Sequence, residues 1–269
     1  MVLSMQLQHQ VMVITGASRG IGAELARQLA TRYGNKLALV LAGRDEEALQ
    51  SVALACKQFG AATLIVKADI CAESHCRQII ADTLEQFGSI DVLVNCAGRF
   101  LYESLLEHEH LANAQEIMRS NFWGSVWCTQ AALPHLINSR GRIVCLAAQF
   151  STAALPGRSA YFASKQALVN YFQAMAMELT HSGVSISLVY PDLVATRARQ
   201  LDLISSGLKH MPRAVSVTEC AEQIVQGLEA REPAIYISHY MRPLRYLHKL
   251  RQHCLNLLRH ARWRRHLGV

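Results

Sequence analysis

With 269 residues, 51% of them hydrophobic, the chain suits one large α/β domain with a substantial core. No run approaches the roughly 18–20 unbroken apolar residues of a membrane-crossing helix, so no such helix is expected. The net charge of +7 is localised: residues 241–269 hold eight of the 27 basic side chains and no acid, whereas the other 240, with 19 basic and 20 acidic, are nearly neutral.

In chain order, the N-terminal MVLSMQLQHQ lacks a basic patch before an apolar run and predicts no signal peptide. The run 11–15 (VMVIT) then precedes helical spacing over 20–33, with Ile21, Leu25 and Leu29 on one side. Between them, Gly16, Gly20 and Gly22 permit a tight turn and close backbone approach. The helix start offers unpaired N–H groups and a positive dipole end to a pyrophosphate. Further apolar runs at 36–43, 62–69, 90–98, 141–148, 184–191 and 234–238 alternate with helical segments at 45–59, 73–87, 113–138, 160–181 and 217–231. This alternation predicts a Rossmann-like, doubly wound parallel sheet of about seven strands with helices on both faces, one domain over 1–240. The connection 192–216 is long for such a fold, and a loop there is expected to cover a substrate. The eight cysteines are scattered without a Cys-x-x-Cys pair, which predicts reduced thiols in a cytoplasmic compartment rather than disulfides or a zinc site.

Several ordered motifs carry a resemblance. TGASRGIG (15–22), NCAG (95–98), Asn121 in MRSNFWGS, the Tyr161–Lys165 pair and VYPDLVAT (189–196) resemble the motifs of the short-chain dehydrogenase/reductase superfamily. Cys96 and Asp192 depart from its usual asparagine and glycine. The resemblance spans roughly residues 8–240. It implies a nicotinamide cofactor held by Gly16, Ser18, Arg19, Gly20, Ile21, Gly22, Arg44, Asp69, Ile70, Asn95, Ala97, Gly98, Tyr161, Lys165, Pro191, Val194 and Thr196, with Asp69 and Ile70 at the adenine. Arg44 closes the second strand, where an acid would favour NAD(H). With Arg19 it favours the 2′-phosphate of NADP(H). Asp45 beside it suits a helix cap.

Tyr161 and Lys165 are one helical turn apart and share a face. A tyrosine titrates near 10 unaided, and a neighbouring ammonium lowers that value toward acid–base work at neutral pH. The resemblance gives Tyr161 the proton transfer, Lys165 the nicotinamide ribose and Asn121 a water linking Lys165 to solvent. It also implies a serine thirteen residues before the tyrosine, where this chain has Ala148 after Ala147. Losing such a donor costs ~10²–10³ in turnover. Ser151 or Thr152, the amide of Gln149, or a water are the candidate replacements. The expectation is a reductase of a ketone or aldehyde, against the alternative of an NADP-binding sensor or scaffold.

In 241–269, Leu244, Leu247, Leu250, Cys254, Leu258 and Ala261 fall three or four apart among arginines and histidines. Such a basic amphipathic helix suits an anionic membrane surface, with Trp263 near the headgroups, or docks on protein. No stacking platform or reading motif points to nucleic acid. A peripheral position on the cytoplasmic membrane face would suit a lipophilic carbonyl; steroid and acyl-chain carbonyls both fit. LVNCAG, Gln149 after the alanine pair and VYP without a following glycine resemble ketosphinganine reductase-like members. The family resemblance also implies a homodimer or homotetramer pairing through the helices that carry Asn121 and Tyr161.

Overall fold

A computed structural model describes residues 10–102, 106, 110–149, 156–196 and 214–237. The elements are β1 (Gln10–Thr15), α1 (Gly20–Tyr33), β2 (Leu37–Gly43), α2 (Glu46–Gln58), β3 (Ala62–Lys67), α3 (Glu73–Phe87) and β4 (Val92–Asn95). They continue with α4 (His110–Met118), a π turn (Arg119–Trp123), α5 (Gly124–Ser139), β5 (Arg142–Leu146), α6 (Ser159–Glu178), β6 (Ser185–Pro191), α7 (Val217–Glu229) and β7 (Ala234–Ile237). The seven strands form one parallel sheet in the order β3-β2-β1-β4-β5-β6-β7.

Strand alternation explains the two cores. Met12 and Ile14 pack with Leu25, Leu29, Leu49 and Ile224 of α1, α2 and α7 on one face. Val11 and Val13, one residue out of step, pack on the other with Ile79, Leu136 and Phe172 of α3, α5 and α6. Burial on both sides is why the strands read as continuous apolar runs. Each fully buried Leu, Ile or Phe contributes about 1.5–3 kcal/mol of transfer free energy.

The chain winds outward from β1 to β3, then crosses back to place β4 beside β1. That reversal opens a crevice at the carboxyl ends of β1 and β4, where ligands bind in such sheets. Two spans show how packing changes the sequence expectation. The single helix expected over 113–138 is α4, a π turn and α5, with the wide turn centred on Asn121. β4 stops at Asn95 rather than running to 98, because Thr15 Oγ1 takes the N–H groups of Cys96 and Ala97 at 3.2 Å each and bends the chain over β1. The seven cysteines among the described residues are free thiols. No helix among the described residues is long and apolar enough to cross a membrane. The tail 241–269 and most of the 192–216 connection lie outside the described residues.

Candidate active site

The glycine loop after β1 is built by contacts that leave no room for side chains. Gly16 sits at φ +69°, and a Cβ there would come within 2.7 Å of the Ala97 Cα. A Cβ on Gly22 would reach 2.5 Å from the Gly16 carbonyl oxygen. The β1 and β4 turns therefore touch backbone to backbone, which only glycine allows. Helix α1 begins at Gly20 with no side-chain cap and no acid in its first turn. Its first N–H groups and the positive end of its dipole are thus left for an anion, which fits a dinucleotide pyrophosphate. Ser18 lies against Gly43, 3.4 Å from where a Cβ would stand, and Ile21 packs on the core. Thr196 approaches from the far side, its Cγ2 3.7 Å from a Cβ position on Gly20.

At the end of β2, Arg44 Nη1 stands 4.0 Å from Asp69 Oδ2, and Arg19 pairs with Asp45. Both arginines are largely exposed, so these ion pairs are weak and easily exchanged. Asp45 caps α2, accepting from Ala48 N–H at 3.1 Å. That bond, with the Arg19 charge, holds its carboxyl below the ordinary aspartate value. Asp69 accepts from Cys71 N–H at 3.0 Å and so shapes the β3–α3 turn. Ile70 is buried and presses on Gly124.

The π turn positions Asn121, which is fully buried. Its Oδ1 accepts from Arg99 N–H at 2.6 Å and Ser120 Oγ at 3.1 Å; its Nδ2 donates to Arg99 O at 2.9 Å and Ser164 Oγ at 3.0 Å. Ser164 in turn donates to Tyr161 O at 2.7 Å. The amide thus ties the segment after β4 to helix α6 and has no donor or acceptor left for water. Asn95 is turned inward as well, with Nδ2 on Thr129 Oγ1 at 2.9 Å and Cys145 Sγ at 3.6 Å. Its Oδ1 is buried with no hydrogen-bond partner among the described residues.

Lys165 is buried, and its Nζ donates to Leu146 O at 2.7 Å. A Cβ on Gly98 would lie 3.5 Å from that nitrogen. Burial pushes Lys165 down to about 8, with Cys96 and Cys145 beside it acting weakly the other way. Tyr161, one turn earlier, meets Phe100 edge to face at 4.6 Å, and Arg158 lies 4.9 Å over that same ring. Ala148 is buried where the resemblance implies a serine. Ser151 and Thr152 lie outside the described residues. Pro191, Val194 and Thr196 complete the far wall: Pro191 O accepts from Gln149 N–H at 3.2 Å, and Val194 bridges to Val215.

The fold therefore gathers the glycine loop, Arg44, Asp69, Ile70, the 95–98 turn, Asn121, Tyr161, Lys165 and the 191–196 segment along one edge of the sheet. Thr15 and Ser164 join them, although neither stood out in the sequence. A buried threonine ending a strand and a serine beside a helical lysine carry no spacing signal, and only the close approach of three elements gives them partners.

A family model for short chain dehydrogenase matches residues 10–203. The 11-beta-hydroxysteroid dehydrogenase-like 4A of Arabidopsis thaliana is 32% identical over 228 residues, 84% of this chain and 75% of that protein. The 11-beta-hydroxysteroid dehydrogenase A of Sesamum indicum is 38% identical over 207 residues, 77% of this chain and 58% of that protein. The 11-beta-hydroxysteroid dehydrogenase 1A of Arabidopsis thaliana is 36% identical over 241 residues, 84% of this chain and 68% of that protein.

Proposed function

The chain belongs to the short-chain dehydrogenase family of nicotinamide-dependent oxidoreductases, and on that premise we propose that it is an NADP(H)-dependent carbonyl reductase or alcohol dehydrogenase acting on a lipophilic ketone or aldehyde. One observation carries the reading: a buried Lys165, fixed to Leu146 O at 2.7 Å beneath Gly98, lies one turn from Tyr161 at the sheet edge that carries the uncapped glycine loop.

The nicotinamide, when bound, supplies the hydride in reduction or takes it in oxidation. Tyr161 gives its phenolic proton to the carbonyl oxygen, or accepts one from the alcohol. Lys165 holds the nicotinamide ribose and keeps a positive charge beside the phenol. Asn121 acts through its main chain and by holding Ser164, and therefore α6, in place; its carbonyl, which also accepts from Ser125 Oγ at 3.5 Å, is the group that would hold a water. Arg44 and Arg19 release their aspartates for the 2′-phosphate, an exchange of exposed ion pairs for charge-assisted bonds. The names of the relatives support a steroid-like or comparably lipophilic substrate. The basic amphipathic pattern of 241–269 supports peripheral attachment to an anionic, cytoplasm-facing membrane. Exposed Trp123 and Tyr171, packed with Phe122 and Trp127 where the π turn, α5 and α6 meet, support pairing of two copies through that face.

The test is NADPH oxidation by the purified protein against ketones from small to long-chain. We expect turnover, and in Tyr161→Phe a loss of about 10² or more; unchanged activity in that variant would overturn the mechanism. A second reading, a cofactor-holding sensor without turnover, is favoured by Ala148. Tight NADPH binding without oxidation of any ketone would select it.

A further inference from the structure

Gln149 is the first residue past the alanine that replaces the family's serine. Its side-chain amide is buried, and neither Nε2 nor Oε1 has a hydrogen-bond partner among the described residues. Folded chains rarely bury an amide this way, because it gives up its bonds to water and gains nothing in return. The buried amide of Asn121 has its oxygen and nitrogen both bonded, and that of Asn95 lacks a partner only at its oxygen, whereas Gln149 lacks one at both atoms.

The backbone fixes where Gln149 leaves the sheet. Ala147 N–H donates to Val189 O at 2.8 Å, and Gln149 N–H donates to Pro191 O at 3.2 Å. This is the same rung of the β5–β6 ladder repeated two residues on, so Gln149 keeps the side-chain parity of Cys145 and Ala147. Those two residues pack on the face that α6 covers, with Leu168, Val169 and Phe172. Gln149 therefore leaves the sheet at the carboxyl end of β5, one residue past Ala148 and three past Leu146, whose carbonyl oxygen holds Lys165. It stands at the strand exit between Leu146, which holds Lys165, and Pro191 on the far wall.

We propose that the Gln149 amide is the substrate-oxygen ligand of this site, with Nε2–H donating to the carbonyl under reduction. It does the work that a hydroxyl at position 148 would do, one residue later and from a longer side chain that spans the space left by the Ala148 methyl. The amide moves no proton; Tyr161 supplies it. The proposal rests on the reductase reading above. It makes Gln149 a catalytic residue, and it explains an unpaired amide as a site prepared for its partner.

The experiment uses full-length protein with NADPH and two probes, diacetyl and phenanthrenequinone, in wild type, Gln149→Leu, Gln149→Glu and Gln149→Leu with Ala148→Ser. Glutamate keeps the size and polarity and removes the donor. Both single variants are expected to lose about 10²-fold in kcat/KM. NADPH affinity should stay within about two-fold, and the melting temperature of Gln149→Leu should equal or exceed that of wild type, because an unpaired buried amide has been removed. Adding Ala148→Ser should restore at least about ten-fold of the lost turnover, a rescue that a merely structural role would not give. Turnover within about three-fold of wild type in both single variants would overturn the proposal, as would a fall in turnover accompanied by lower melting and weakened NADPH binding. If wild type reduces neither probe, the reductase reading fails for them, and phenanthrenequinone binding to the NADPH complex decides the role of Gln149. Binding about ten-fold weaker in Gln149→Leu sustains it, and equal binding removes it.

Discussion

At the scale of single residues, Lys165 shows how position sets chemistry. Burial brings it from an ordinary 10.5 down to about 8. Between those values the unfolded chain holds a proton that the folded chain has released, so this group makes stability rise with pH from about 8 to 10.5. Lys165→Met removes that dependence. The variant's stability advantage over wild type should be largest below pH 8 and should shrink by about 3 kcal/mol through that window, read by denaturant unfolding at several pH values. The thiols of Cys96 and Cys145, pushed up to about 12, act in the opposite sense at higher pH and largely cancel in the difference between the two proteins. Arg44 makes a second residue-scale prediction. Arg44→Ala should weaken NADPH binding about 10–100-fold and leave NADH within a few-fold, because the ion pair it gives up with Asp69 is exposed and worth little. Titration of both cofactors into the variant checks this; an equal effect on the two would remove the 2′-phosphate assignment.

At the scale of elements, the π turn decides the site. A regular helix over 113–138 would carry Asn121 as an ordinary buried polar residue. The widened turn lets its amide bond Arg99 on one side and Ser164 on the other, joining α4, α5 and α6 to the end of β4. Asn121→Ala leaves the Arg99 N–H without its acceptor and should cost about 1–3 kcal/mol, seen as a melting temperature lower by several degrees, together with reduced turnover. The glycine loop is the second such element. Gly22→Ala would drive a methyl to 2.5 Å from the Gly16 carbonyl oxygen, backbone that has nowhere to go while Gly16 touches Ala97. We expect cofactor binding to be lost with the fold retained, measured by NADPH fluorescence and circular dichroism. The loop was legible in the sequence because Gly16, Gly20 and Gly22 fall between a strand and a helix. The π turn was not, since nothing in RSNFWGS departs from helical periodicity; it is set by the three elements that the Asn121 amide must reach.

At the scale of the whole molecule, the reversal of strand order between β1 and β4 opens the crevice; the glycine loop, Arg44, Asp69, Ile70 and the 95–98 turn come from strand ends or the segments that follow, while Tyr161 and Lys165 come from α6 and Asn121 from the π turn. The outer face of the π turn and α6 presents Trp123 and Tyr171 to solvent. If a second copy covers them, Trp123→Glu with Tyr171→Glu should halve the solution mass by light scattering while the monomer stays folded. The basic tail belongs to this scale too. Protein ending at residue 240 should bind anionic liposomes less well than the full chain, and equal binding would assign that charge another task.

The amino-acid sequence by itself determined the doubly wound sheet, the place of the dinucleotide loop and the Tyr161–Lys165 pair. These depend on spacing within a turn or a strand, where apolar periodicity and glycine backbone freedom act locally. The tertiary structure alone decided which polar groups meet across elements. Thr15 holds the turn after β4, Ser164 receives Asn121, Leu146 anchors Lys165, and the amide of Gln149 is buried without a partner among the described residues. A hydrogen bond needs its two groups within about 3 Å, and for residues tens of positions apart that proximity exists only once the sheet has brought their elements together.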